Sequence, residues 1–135
     1  GGQDNSFTSV TTGGVTTGAI SLRNVNMLTT VNAVTSGALT INATAANSTL
    51  SVEGAVTTGG AASLTSGSGG LSVTAAIMAG TNALTLNTGG ALTTSATGTL
   101  MAGATSLTGS GITLDGTVTA TGATTLNAGA GGRSG

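Results

Sequence analysis

The chain has 135 residues with 25 Gly, no Pro, no Cys, no His and a single aromatic, Phe7, and only Asp4, Arg23, Glu53, Asp115 and Arg133 are charged. A net charge of -1 supplies neither the cationic phosphate contacts nor the stacking platforms of a nucleic-acid surface, and no uninterrupted apolar run approaches the ~18 residues of a membrane span. The mean hydropathy is positive, which sets the chain apart from the polar, highly charged composition of disordered sequences.

Residues 1–7 form an N-terminal segment that begins Gly1-Gly2 without an initiator Met or an apolar leader, as expected if processing removed one or if the chain is an excerpt of a longer polypeptide. From residue 8 three short patterns recur in fixed order. The first round reads Thr8-Ser-Val10, Val15, Gly18-Ala-Ile-Ser-Leu-Arg23, and the second Thr29-Thr-Val31, Val34, Gly37-Ala-Leu-Thr-Ile-Asn42. The third is Leu50-Ser-Val52, Val56, Gly60-Ala-Ala-Ser-Leu-Thr65, and the fourth Leu71-Ser-Val73, Ile77, Asn82-Ala-Leu-Thr-Leu-Asn87. The fifth is Leu92-Thr-Thr94, Leu100, Gly103-Ala-Thr-Ser-Leu-Thr108, and the sixth Ile112-Thr-Leu114, Val118, Gly122-Ala-Thr-Thr-Leu-Asn127. A Gly-rich tail, 128–135, follows.

The apolar anchors of the hexapeptide, Leu22, Ile41, Leu64, Leu86, Leu107 and Leu126, are spaced 19, 23, 22, 21 and 19 residues apart. The last residues of the tripeptide, Val10, Val31, Val52, Val73, Thr94 and Leu114, are spaced 21, 21, 21, 21 and 20. Within each pattern apolar and polar residues alternate with period two, the mark of a strand with one buried face. Gly pairs such as Gly13-Gly14, Gly59-Gly60, Gly69-Gly70 and Gly89-Gly90 fit corners that require positive φ. An antiparallel sandwich also has short strands and many turns, but it does not require three strand types to recur in one order at a fixed period. The expected fold is therefore all-β, a parallel β-helix (β-solenoid) over residues 8–127 with about six three-sided coils of roughly 21 residues.

Stacked at ~4.8 Å per strand, six coils make a rod about 29 Å long in which equivalent residues form ladders. The core ladder is Leu22, Ile41, Leu64, Leu86, Leu107 and Leu126, with Val10, Val31, Val52, Val73 and Leu114 on the second side. The outward ladder beside it is all hydroxyl: Ser21, Thr40, Ser63, Thr85, Ser106 and Thr125, with Ser9, Thr30, Ser51, Ser72, Thr93 and Thr113 as its counterpart. Asn42, Asn87 and Asn127 are expected at a corner, where Asn tolerates left-handed backbone. A core built of Ala, Thr and single aliphatics is narrow, so continuous backbone pairing along the stack carries much of the stability.

Catalytic chemistry has little to work with. With no Cys or His, thiolate metal sites and an imidazole base for the many Ser residues are both excluded. Glu53 and Asp115 follow equivalent strands three coils apart, hence about 14 Å from each other, too far for paired-carboxylate glycoside hydrolysis. Gly109-Ser-Gly-Ile-Thr-Leu-Asp115 occurs once and lacks the clustered carboxylates of calcium-binding repeats, and no GxxxxGK[ST] is present. Asn42-Ala-Thr44 and Asn47-Ser-Thr49 match the glycosylation pattern at the frequency expected by chance in so Asn- and Thr-rich a chain. No enzyme activity and no cofactor is expected.

The Gly-Ala-Leu-Thr-Ile-Asn42 and Asn-Ala-Leu-Thr-Leu-Asn87 units resemble the repeats of filamentous-haemagglutinin-type exoproteins and autotransporter passengers, over about residues 8–127. The resemblance implies a right-handed parallel β-helix, secretion by a Gram-negative bacterium, and a role in adhesion, biofilm or surface fibres. The secretion domain and binding modules of those families are not visible in this sequence, so no functional residue carries over. The expected function is structural: an extracellular or cell-surface shaft of an adhesin, or a subunit whose open ends stack head to tail into a filament. The expected partners are other copies of the chain and host or environmental surfaces, without nucleic acid and without membrane insertion. Two alternatives remain open: an ice- or crystal-binding Ser/Thr array, and a carbohydrate-binding spike of the phage type.

Overall fold

A computed structural model of the chain describes residues 6–12 and 18–134, with side chains through Gly129. Among these residues every regular element is a strand. In chain order they are β1 (Ser9–Val10), β2 (Ile20–Asn24), β3 (Leu28–Val31), β4 (Val34–Ser36), β5 (Leu39–Ala43), β6 (Thr49–Val52), β7 (Val56–Thr58) and β8 (Ala62–Ser66). There follow β9 (Gly70–Val73), β10 (Ile77–Met78), β11 (Leu84–Thr88), β12 (Ala91–Thr94), β13 (Leu100–Ala102), β14 (Thr105–Leu114), β15 (Val118–Ala120) and β16 (Thr124–Ser134).

Every pairing is parallel, and each strand pairs with its counterpart one repeat earlier or later. A parallel partner about one repeat away means that the chain travels once around an axis between the two strands. The fold is thus a β-solenoid. One side stacks β2, β5, β8, β11 and the first halves of β14 and β16. The second stacks β1, β3, β6, β9, β12 and the second halves of β14 and β16. The third stacks β4, β7, β10, β13 and β15. In β14 and β16 the strand continues around the corner between the first two sides, with a register shift between Gly109 and Gly111.

The described residues make about five full turns, slightly fewer than the six coils expected from the repeat. The third side has five described strands, and Val15, the residue expected to begin it, lies outside the described residues, as do residues 1–5 of the N-terminal segment. At the other end β16 runs past Asn127, where the repeat pattern stops, through Ser134.

The anchors keep register although their spacing varies, because the corners absorb the difference. Residues 44–48 join β5 to β6, whereas only 89–90 join β11 to β12. Corner glycines are required mainly by close approach rather than by left-handed backbone: Gly13-Gly14 lie outside the described residues, and among the described members of the expected Gly pairs only Gly70 has a positive φ, 104°. At Gly98 a β-carbon would collide with the carbonyl oxygen of Val73, one coil earlier, and at Gly90 with that of Ser68. Asn42, Asn87 and Asn127 are not corner residues. They lie within β5, β11 and β16, exposed and in register with Arg23, Thr65 and Thr108. The one non-glycine residue with positive φ among the described residues is Ala33, at 40°.

The core is a rod of aliphatic columns. Ile41, Leu64, Leu86 and Leu107 are fully buried in one column, and Val31, Val52 and Val73 in the next. Val34, Val56, Ile77 and Leu100 line the third side. The apolar residues only partly buried against this core are Val10, Ile20, Leu22, Leu114, Val118, Leu126 and Ala128. All seven belong to the first or last turns.

Candidate functional surface

Because side chains alternate across a strand, the residues between the core positions face outward, and stacking lines them up. On the first side Ser21, Thr40, Ser63, Thr85, Ser106 and Thr125 form one unbroken register column. The core residues Leu22, Ile41, Leu64, Leu86, Leu107 and Leu126 form the column next to it. An exposed rank of Ala19, Ala38, Ala61, Ala83, Ala104 and Ala123 flanks the hydroxyls. On the second side Ser9, Thr30, Ser51, Ser72, Thr93, Thr113 and Ser134 are in register. Val10, Val31, Val52, Val73, Thr94 and Leu114 form the column beside them, Thr94 being the one polar member and 2% exposed.

On the third side the outward column is Thr35, Thr57, Met78, Met101 and Thr119. Met78 and Met101 are exposed, as are Val25, Met27 and Leu28 at the corner after β2. Neither apolar group stands out in the sequence, because each falls between repeat positions.

Carboxylates do not converge. Glu53 and Asp115 are exposed and follow β6 and β14 at equivalent positions, since their amides donate to Val31 O and Thr94 O. Thr74 and Ser95 occupy the two intervening coils in the same way, so the carboxylates stand three rungs apart, about 14 Å. Asp4 lies outside the described residues. Among the described residues no group of three or more His, Cys, Asp or Glu could hold a metal ion, and no helix is long and apolar enough to cross a membrane.

Hydroxyls also work inside the rod, at the corner between the first and second sides. Ser66 Oγ lies 2.8 Å from both Gly70 O and Thr88 Oγ1. Thr88 Oγ1 donates to Gly67 O at 2.8 Å and accepts from Gly90 N at 3.1 Å. Ser48 Oγ accepts from Gly67 N at 2.8 Å and donates to Ala43 O. Every buried side-chain oxygen and nitrogen among the described residues has a partner, which removes the penalty of burying it.

At the first coil this role falls to Asn24, fully buried. Its Oδ1 accepts from Phe7 N at 3.1 Å, and its Nδ2 donates to Phe7 O at 2.8 Å and Thr29 Oγ1 at 2.7 Å. Asn26 Nδ2 adds a second bond to Phe7 O, 2.6 Å, and Asn26 Oδ1 accepts from Ser6 Oγ at 2.8 Å. The two amides thus clamp the chain entering β1. Sequence reasoning misses this, because Asn24 stands where later coils carry Ala43, Ser66 and Thr88.

No family model, curated protein or solved structure matches the chain.

At the first coil an open cavity of about 460 Å³ is lined by Ser6, Phe7, Ser9, Val10, Thr11 and Leu22. Val10 and Leu22 head the columns that finish, at the far end, in Leu114 and Leu126.

Proposed function

We propose that the chain is a structural, non-catalytic solenoid of the bacterial cell surface or exterior: the shaft of an adhesin, or a subunit stacking head to tail into a filament. One observation carries this reading. Among the described residues the aliphatic columns are closed along the rod and half-open in the first and last described turns, where seven apolar side chains remain partly exposed. Covering them with another coil removes apolar area from water and pairs free strand edges, which are otherwise a site for adding strands. A head-to-tail contact that does not close on itself produces a fibre. Negative-stain microscopy with sedimentation over a range of concentrations tests it. Rods that lengthen in steps of one chain are expected; a species that stays one chain long at high concentration refutes the filament form.

A second reading rests on the outward first side. Two straight ranks, one of hydroxyl residues and one of exposed Ala, suit adsorption to ice or another crystal surface. Measurement of thermal hysteresis decides it, and a solution that freezes without hysteresis or ice shaping removes it.

A further inference from the structure

The two ends do not fit together as they stand. Among the described residues the first side has six strands in register, whereas the second has seven, because β1 begins that side and the second half of β16 returns to it. When one copy of this 135-residue chain is placed on another so that the first side continues without a gap, β1 of the next copy and residues 132–134 of the preceding copy claim the same rung. Raising the next copy by one rung, about 4.8 Å, frees the second side but leaves a missing rung on the first. One segment has to yield.

The register says which. Residues 132–134 pair with 111–113, and Arg133 stands at the position of Ile112, in the column where Leu50, Leu71 and Leu92 are buried. Residues 132–134, Gly-Arg-Ser, bring no aliphatic residue to a register position that is otherwise Leu or Ile, so they do not extend the column. The segment around them, Ala128-Gly-Ala-Gly-Gly-Arg-Ser-Gly135, is half Gly, which loses the most conformational freedom on ordering. β1 has the opposite character. It carries Ser9 opposite Thr30 and Val10 opposite Val31, and the Asn24 and Asn26 side chains hold its entry. Laid on Thr113 and Leu114, the same two residues continue both columns, with Val10 over the half-buried Leu114.

We propose that assembly proceeds by strand exchange: β1 of one copy displaces residues 132–134 of the preceding copy and pairs with residues 113–114. This rests on the head-to-tail reading above and names the segments that meet. In a single chain residues 132–134 serve as a placeholder rung. They cover a strand edge until a second copy supplies a better one, as a donated strand does.

The chain contains no Cys, so engineered thiols report the joint. Chains carrying Ser9→Cys are mixed with chains carrying Thr113→Cys, or separately with chains carrying Ser134→Cys, under mild oxidation. Within one chain positions 9 and 113 lie five rungs apart, roughly 24 Å, so a disulfide between them is intermolecular. Bridging requires Cα atoms within about 7 Å, which the exchanged joint provides for 9 with 113 and denies to 9 with 134. Removal of residues 130–135 should lower the concentration needed for assembly by roughly tenfold, the factor matching one or two net hydrogen bonds no longer broken. Crosslinking of 9 to 134, or of neither, in material that still forms filaments overturns the exchange and leaves head-to-tail stacking intact. A chain that sediments as a monomer under all conditions removes both.

Discussion

Truncation along one register column offers a graded test of how the rod is held. Leu64 is fully buried between Ile41 and Leu86, whereas Leu126, in the same column, is partly exposed in the last turn. Leu64→Ala removes three carbons from an environment closed on all sides, about 2.4 kcal/mol at about 0.8 kcal/mol per methylene. The hole left behind adds to this, because the Ile41 and Leu86 rungs are pinned by backbone pairing and cannot collapse into it, so a total of about 3–4 kcal/mol is expected. Leu126→Ala removes the same atoms from a site that water already reaches, and no rung beyond it is held open, so about 1 kcal/mol is expected. Urea unfolding followed by far-UV circular dichroism, at a concentration where the protein is monomeric, measures both. Equal losses, or a larger loss at Leu126, would refute the claim that burial increases from the ends toward the middle of the column.

Replacing Leu86 by Asp should prevent folding outright, since a carboxylate would sit unpaired in mid-stack, while Thr85→Ser on the outer face of the same strand should shift the thermal midpoint by no more than a degree or two, about 0.5 kcal/mol. Gly98→Ala should cost more than about 2 kcal/mol because the new methyl meets the Val73 carbonyl rather than a movable side chain, whereas Gly18→Ala, with nothing within 4 Å, should be near neutral; comparable melts for the two would place the fault in the close-approach account of the corners. Asn24→Ala breaks the clamp on Phe7, and hydrogen exchange should then show lost protection at Phe7 and Thr30, the latter donating to Thr8 O, with the coils from β5 onward unchanged.

The three strand series were legible because burial imposes period two within a strand and stacking imposes a common period between strands. Both constraints act on the same residues: Leu22 through Leu126 and Ser21 through Thr125 can be read as adjacent columns before any coordinate is known. Corners escape this logic. They answer to distances between neighbouring coils, so Gly90 and Gly98 mark approach of a carbonyl rather than a left-handed turn, and nothing in the sequence distinguishes the two uses. Asn is ambiguous in the same way: Asn42, Asn87 and Asn127 proved to be outward strand residues, while Asn24 acts inside. Hydroxyl residues are worse still, since Ser and Thr occupy both the exposed column at Thr85 and the buried corner at Ser66 and Thr88, where their partners are carbonyls that carry no residue-type signal. The last stretch, 128–134, lacks apolar anchors, and its pairing with β14 is a property of the neighbouring strand edge rather than of its own composition.

The arrangement of backbone pairing has a mechanical consequence. Hydrogen bonds between coils point along the rod, so a pull on the chain ends peels one turn at a time instead of shearing a whole face at once. Each turn that lets go releases roughly 21 residues, about 70 Å of extended chain, in place of the ~4.8 Å it occupied in the stack. Each yielded turn thus becomes some fifteen times longer under load, with single-molecule force traces rising and dropping once per coil, and a tether made of such turns dissipates a tug by paying out line before any distant attachment feels the full tension.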